Sequence, residues 1–190
     1  MGIDKKNNIL NSKKPFPKYT QNSLEEDFKL RFIYYSNKLE GSTLSLIETK
    51  VILEGITVEN HSLNEHIIVK NLERVFNYLA SVQKNGKELD FKELCILAEI
   101  TNADYIEEVD SLLDKVNFKD KLNWSEILNL CVKIHDSLLA INGHLARLLL
   151  NHVLRVFGYL PVIIKEYEDS LESIIENSVN ENIDLYLELV

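Results

Sequence analysis

The sequence predicts an all-α domain built around one buried helix, and three features lead to this prediction. The 190-residue chain has only six glycines and three prolines, a scarcity that favours long helices over a sheet with many turns. Apolar residues recur at steps of three and four along several segments, as they do on the buried face of a helix. One segment, 144–157, is apolar at nine of its fourteen positions, which is typical of a helix covered on most sides.

Both ends of this predicted central helix carry a signal. After it, Gly158 can adopt the left-handed backbone that stops a helix, and Pro161 prevents the helix from resuming. Before it, Asn142-Gly143 leaves backbone N–H groups free to bind a phosphate, and Arg147 lies one turn further in. His135 ends the preceding apolar run and is expected to face the same place.

The segment 133–161 resembles the signature of the Fic family, filamentation-induced proteins that transfer AMP from ATP to protein hydroxyl groups. That signature runs His-Pro-Phe, any residue, Asp or Glu, Gly-Asn-Gly-Arg, with a second Arg three residues later. The resemblance implies a general base at the histidine, Mg²⁺ on the acidic residue, and a phosphate-binding turn and arginine pair for ATP. The residues that match are Asn142, Gly143, Arg147, the run 148–151 and Gly158-Tyr159.

The chain departs from this signature at positions that carry catalysis. His144 stands where the first Arg belongs, and Ile141 replaces the first Gly. His135 reaches the base position only with a one-residue insertion, and without a gap Asp136 occupies it. In either register Leu139, Ala140 and Ile141 fill the place of the metal-binding acid, so no metal site is expected. His135 is the candidate base, and an ordinary histidine near a helix end is the alternative.

A second resemblance lies at the end of the first predicted domain helix, 22–41. In one subclass of the Fic family an inhibitory helix ends in Ser or Thr, three residues, Glu and Gly, followed by Thr-Leu-x-x-x-Glu-Thr. The resemblance implies that Glu40 pairs with Arg147 and blocks the place of the ATP γ-phosphate. Independently, the helix dipole disfavours Glu40 in a last turn, so a cationic partner is expected. The residues that match are Ser36, Glu40, Gly41, Thr43, Leu44, Glu48 and Thr49.

The remaining segments divide the chain into an arm and one domain. Residues 1–21 are polar, lysine-rich and interrupted by Pro15 and Pro17, which predicts an extended, flexible arm before a single helical domain at 22–190. Trp124 is expected to open a helix that packs on the central one, and 166–190 to form one or two covering helices. The segment 101–121 lacks the strand pattern of a Fic target-docking flap, and a helical turn near Leu112 is expected instead.

Capping boxes mark the predicted starts of three further helices. They are Ser45 to Glu48, Ser62 to Glu65 and Asp90 to Glu93, with glycines 55 and 86 ending the first two helices. His61 and His66 flank the second box and are interpreted as surface or capping histidines, because no third metal ligand lies nearby.

Composition excludes several classes of partner. The net charge is −9 and no basic patch lies outside the N-terminal tail, which argues against nucleic-acid binding. No apolar run is long enough to span a membrane, and no signal peptide is expected. Cys95 and Cys131 lie singly in apolar helical stretches, which favours a reduced, cytoplasmic protein.

These observations predict a Fic-family protein related to protein adenylyltransferases, with weak or lost catalysis. Two alternatives stay open: an active, self-inhibited AMP-transferase that uses an altered loop, and a non-catalytic helical interaction module. ATP and Mg²⁺ are implied by the resemblance alone. The sequence does not identify the target or partner protein, and it leaves a homo-oligomer open.

Overall fold

The computed structural model describes residues 2–85, 89–101, 103 and 121–189, and within them it contains eight helices and no strand. The predicted all-α class is therefore confirmed. The helices are α1 (Ile3–Ser12), α2 (Lys18–Leu39), α3 (Leu46–Leu53), α4 (Leu63–Lys84), α5 (Phe91–Thr101), α6 (Trp124–Leu139), α7 (Gly143–Val156) and α8 (Leu171–Leu189).

Helix α7 is the centre of the bundle, and it begins at Gly143 as expected. Eleven of its fourteen residues are buried, because α2, α4, α5 and α6 all contact it and α6 packs along it most extensively. Each fully buried leucine contributes about 1.5–3 kcal/mol relative to an exposed one, so the buried leucines of α7 supply a large part of the stability of the bundle. Gly158 ends the helix with a φ of +78°, the predicted left-handed stop.

The polar residue Asn151 ties the segment after α7 back onto that helix. Its side-chain amide donates to the carbonyls of Arg147 and Val162, and its Oδ1 accepts the Val162 N–H at 2.6 Å. The buried amide is thus fully used, and the extended chain that follows Gly158 stays against the core.

Two of the predicted capping boxes are complete. Ser45 with Glu48 and Ser62 with Glu65 each make both reciprocal bonds at the starts of α3 and α4. At the third box the Glu93 N–H donates to Asp90 Oδ1 at 3.0 Å. The expected stop at residue 86 lies outside the described residues.

The expectation of an extended arm at residues 1–21 is wrong. Ile3–Ser12 is helical, and α2 already begins at Lys18 rather than near Asn22. Leu10 is fully buried, and the Lys6 ammonium lies 2.6 Å from Asp184 on α8. The high lysine content of this segment obscures the short buried face of α1, which packs against α8 at the other end of the chain.

Further expectations concern the end of the chain and the segment around the start of α6. The covering region is one helix, α8, and Trp124 opens α6 against the central helix as predicted. The expectations for 102 and 104–120, including the turn near Leu112, lie outside the described residues. Across the described part of the chain, no helix combines the length and apolar character that a membrane crossing requires.

Candidate functional site

The ends of α2 and α7 meet at one ion pair. Glu40 is the C-cap of α2, and Gly41 follows with a φ of +87°. The Glu40 Oε1 lies 2.7 Å from Arg147 Nη2, so the predicted contact is present. The Arg147 side chain is 2% exposed and that of Glu40 is 41% exposed, so the pair joins a buried cation to a half-wet carboxylate.

Ser36, one turn before Glu40, fixes the orientation of Arg147. The guanidinium donates from Nε to Ser36 Oγ at 2.9 Å and from Nη2 to the Ser36 carbonyl at 3.1 Å. These bonds use the planar fork of the arginine, which a lysine would not reproduce. Ser36, Glu40 and Arg147 therefore form one hydrogen-bonded group across two helices.

The Glu40 carboxylate occupies the predicted phosphate position at the start of α7. A Cβ added to Gly143 would lie 2.1 Å from Glu40 Oε1 and 2.9 Å from Arg147 Nη1, so the absent side chain leaves room for the carboxylate. Asn142 Oδ1 accepts the Leu145 N–H, and its amide donates to the Thr101 carbonyl. The Asn142 side chain is thus the N-cap of α7.

His144 stands at the first-arginine position and supplies no second charge at neutral pH. Its Nδ1 lies 3.0 Å from Ser36 Oγ and 3.5 Å from Arg147 Nη2. Burial and then the positive charge of Arg147 lower the pKa of His144 to about 4, and Glu40 opposes this only in part. Because Ser36 Oγ accepts from Arg147, its own hydroxyl proton is free to donate to the neutral imidazole.

His135 points into the site and Asp136 points away from it. The His135 side chain is 1% exposed, and that of Asp136 is 65% exposed. The His135 Nε2 lies 2.9 Å from the Tyr167 hydroxyl, and its Nδ1 lies 3.4 Å from Asp136 Oδ1. Burial lowers the pKa of His135, and Asp136 opposes that effect. The histidine is therefore a neutral base candidate.

Tyr167 also belongs to the site, although it was not identified from the sequence. Its hydroxyl accepts from Arg147 Nη1 at 3.3 Å and contacts His135 on its other side. Tyr167 lies in an acidic, irregular stretch between the core and α8, where neither periodicity nor motif spacing marks a residue. Only the fold brings it to the start of α7.

The loop between α6 and α7 contains only residues 140–142, and no acidic side chain lies in it. Leu139 and Ile141 flank the turn with exposed apolar side chains. Over 2–85, 89–101, 103 and 121–189, no group of three or more His, Cys, Asp or Glu residues is arranged to hold a metal ion.

Comparison with known proteins gives a consistent set of relatives. The protein adenylyltransferase Fic of Drosophila willistoni is 28% identical over 170 residues, covering 73% of this chain and 34% of the relative. Protein adenylyltransferase fic-1 of Caenorhabditis elegans is 24% identical over 168 residues, covering 70% of this chain and 33% of the relative. The chain thus spans about a third of the length of these curated relatives. No protein-family model matches the chain.

The fold has a counterpart among solved structures. Residues 134–508 of Fic-1 from Caenorhabditis elegans superpose with a TM-score of 0.77 at 19% identity, covering 98% of this chain and 70% of that one. At this identity the likeness concerns the fold, and it extends over almost all of the chain.

Proposed function

We propose that the chain is a member of the Fic family, and a self-inhibited relative of the protein adenylyltransferases with weakened catalysis. One observation carries the proposal: the Glu40 carboxylate lies against Gly143 and pairs with Arg147. A carboxylate is a small stand-in for a phosphate. Its position supports an anion site that the chain's own inhibitory helix keeps closed.

The chemistry of that site suits a nucleotide phosphate. The first turn of α7 offers backbone N–H groups and the positive end of a helix dipole, and Arg147 adds a charged fork. Access of ATP to both features requires Glu40 to leave. Because Glu40 is half exposed and Arg147 keeps Ser36 as a partner, the carboxylate is the element free to move.

His135 is the residue that we assign as the base for the target hydroxyl. A neutral imidazole with its proton on Nδ1 leaves Nε2 to accept a hydroxyl proton. Nε2 faces Tyr167, which is itself bonded to Arg147, so the base and the phosphate-binding cation share one neighbour. This arrangement supports a hydroxyl acceptor near the phosphate.

The residues at the loop do not fit Mg²⁺. Leu139, Ala140 and Ile141 offer no side-chain oxygen, and the Asp136 carboxylate is turned outward. Magnesium prefers carboxylate and phosphate oxygens, so this loop supplies no side-chain ligand for the ion. A helix N-terminus contributes only about 0.3–2 kcal/mol to anion binding, which supports weak catalysis.

The decisive experiment is a calorimetric ATP titration of the wild type, Glu40→Ala and Glu40→Ala/Arg147→Ala. We expect ATP affinity to rise about tenfold or more in Glu40→Ala, because the competing carboxylate is gone, and to fall again in the double variant. Glu54→Ala is the matched control, since Glu54 is likewise an exposed C-cap before a left-handed glycine.

A labelled-ATP assay on the same proteins separates the alternatives. Little transfer of AMP by Glu40→Ala, despite tighter ATP binding, agrees with weakened catalysis. Strong transfer that His135→Ala abolishes would instead indicate an active, self-inhibited enzyme. Equal or absent ATP binding in all variants would overturn the proposal and favour a helical interaction module.

The compartment and partners follow from the same proposal. Cys95 and Cys131 are free thiols, and Cys131 is buried in the core, which fits the reducing cytoplasm. A protein bearing a hydroxyl side chain is the expected acceptor.

A further inference from the structure

We propose that a cleft at the far end of the central helix binds a small aromatic anion, a compound with one ring and one carboxylate or phosphate group. The cleft has a volume of about 870 Å³ and lies at the C-terminal end of α7, whereas Glu40 lies at the start of that helix. A fourteen-residue helix spans about 20 Å, so the cleft is separate from the anion site at Gly143. The inference goes beyond the proposed function and does not depend on it.

The size and position of the cleft suit a small molecule. Ligand pockets have volumes of about 300–1,000 Å³ and form where several elements of a fold meet. Here the segment between α1 and α2, the start of α2, the end of α4, the chain after α7 and the end of α8 all contribute to the walls. The lining residues include Phe16, Gln21, Gln83, Tyr159, Pro161 and Tyr186.

Positive charge predominates in the cleft, although the net charge of the chain is −9. Lys14, Lys84 and Arg155 line it, and among its described lining residues Glu25 is the only carboxylate. Glu25 is already paired with Arg155, whose Nη2 lies 2.9 Å from Glu25 Oε1. The two lysines are therefore the cations that remain for a ligand.

These two lysines have no partner within the protein. Over residues 2–85, 89–101, 103 and 121–189, no hydrogen bond or ion pair reaches the ammonium group of Lys14 or Lys84. Lys14 is an exposed residue, yet desolvation lowers the pKa of its ammonium. Because desolvating a cation without an opposite charge costs free energy, an anion in the cleft would be stabilised by Lys14.

Helix ends at the cleft present a competing effect. The carbonyls at the C-terminal ends of α4 and α7 disfavour an anion, because they carry the negative end of the helix dipole. Lys84 and Arg155 lie in those last turns and offset the carbonyls. Lys14 lies outside both helices, so its charge adds to a nearly balanced background.

Aromatic side chains favour a ligand that contains a ring. The ring centroids of Phe16 and Tyr186 lie 6.0 Å apart at an interplanar angle of 56°, and Tyr159 lines the same cleft. Faces and edges of such rings make favourable contacts with a further aromatic group. An aliphatic anion would meet the lysines without these contacts.

The hydroxyl group of Tyr186 adds a hydrogen-bond donor. Burial and then the charge of Glu25 raise the pKa of Tyr186, so its O–H stays protonated at neutral pH. In the part of the chain that the structure describes, this hydroxyl makes no hydrogen bond. A ligand oxygen in the cleft would accept that bond.

Fluorine NMR of 4-fluorophenylacetate, titrated against the wild-type chain, measures the binding. We expect this compound to bind about tenfold or more tightly than 4-fluorophenylacetamide, which keeps the ring and lacks the charge. Monofluoroacetate, which keeps the charge and lacks the ring, should bind more weakly than both. A parallel titration with 4-fluorophenyl phosphate distinguishes the two sources of charge, since the tighter ligand identifies the preferred anion.

Variants of the cleft then locate the bound compound. Lys14→Gln and Lys84→Gln should each weaken binding of 4-fluorophenylacetate about threefold or more, because each removes one unpaired charge. Lys13→Gln makes the same change of charge at an exposed neighbour that does not line the cleft, so it is the matched control. Tyr186→Phe keeps the ring and should weaken binding several-fold through loss of the hydroxyl.

Four results would each overturn the inference. They are absence of binding at millimolar ligand, equal binding of the acetate and the amide, an equal loss of affinity in Lys13→Gln, and tighter binding in Glu40→Ala. The last result would place the anion at Gly143, whereas unchanged affinity in Glu40→Ala agrees with the cleft. Because no nucleotide is present in these titrations, a failure of ATP to bind would remove the proposed function and leave this inference standing.

Discussion

A single residue, Arg147, contacts Ser36, Glu40, His144 and Tyr167 at the site. It is the largest fully buried side chain of the described residues, and it donates to Ser36, Glu40 and Tyr167. Burying a cation is costly unless its donors are satisfied, and here serine oxygens satisfy a large part of them. This distribution of bonds lets Glu40 leave without stranding the charge.

Glu40→Ala should therefore lower the free energy of unfolding only modestly. We expect a loss of about 1–2 kcal/mol, between the values for exposed and for buried ion pairs. Urea denaturation at neutral pH measures it, with Glu54→Ala as the surface control. A loss larger than about 4 kcal/mol would mean that Ser36 and Tyr167 do not hold Arg147 by themselves.

A side chain at Gly143 should displace the Glu40 carboxylate. Gly143→Ala places a Cβ 2.1 Å from Glu40 Oε1 and 2.9 Å from Arg147 Nη1, so both groups must shift. In the Glu40→Ala background the substitution should abolish the ATP affinity gained, because the Cβ fills the phosphate position. Calorimetry tests this, and Gly2→Ala, where a Cβ meets nothing within 4 Å, is the control. Retained affinity would place the phosphate elsewhere.

Among the helices, those with a long apolar face were the easiest to predict from the sequence. Helix α7 could be predicted from the sequence because most of its positions are buried, and α4 because its five buried residues recur at steps of three and four. The Glu40–Arg147 pair was implied by the family resemblance, and a glutamate at the negative end of a helix independently called for a cationic partner.

Helix α1 shows what sequence alone could not give. Its inward residues are only Ile3, Asn7 and Leu10, too few to stand out from the lysines around them, and they need α8 as a partner. The same holds for Tyr167 at the site, since its partners His135 and Arg147 lie 32 and 20 residues away along the chain. Such contacts depend on tertiary packing that no local pattern encodes.

The packed state of α1 gives a prediction at the level of this helix. Leu10→Ala should destabilise the protein by about 2–4 kcal/mol, because a fully buried leucine leaves a cavity. Ile9→Ala, at a position that is 38% exposed, should cost under about 1 kcal/mol. Thermal or urea unfolding compares the two. Equal, small effects would mean that α1 does not contribute to the folded core.

For the whole molecule, buried neutral histidines tie stability to pH. Burial and the charge of Arg155 lower the pKa of His152 to about 4, and burial and Arg147 do the same for His144. The unfolded chain takes up protons near pH 6.5, so it binds more protons than the folded chain between pH 6.5 and 4. Stability from both groups is present above pH 6.5 and is lost as the pH falls towards 4.

We expect the wild-type free energy of unfolding to fall on the order of 1–3 kcal/mol per histidine across this range. His144→Gln/His152→Gln should flatten the slope between pH 6.5 and 4.5, above the range where carboxylates dominate. Urea titrations at half-unit pH steps measure the two slopes, and their values at pH 8 provide the baseline. Identical slopes would contradict burial of neutral imidazoles.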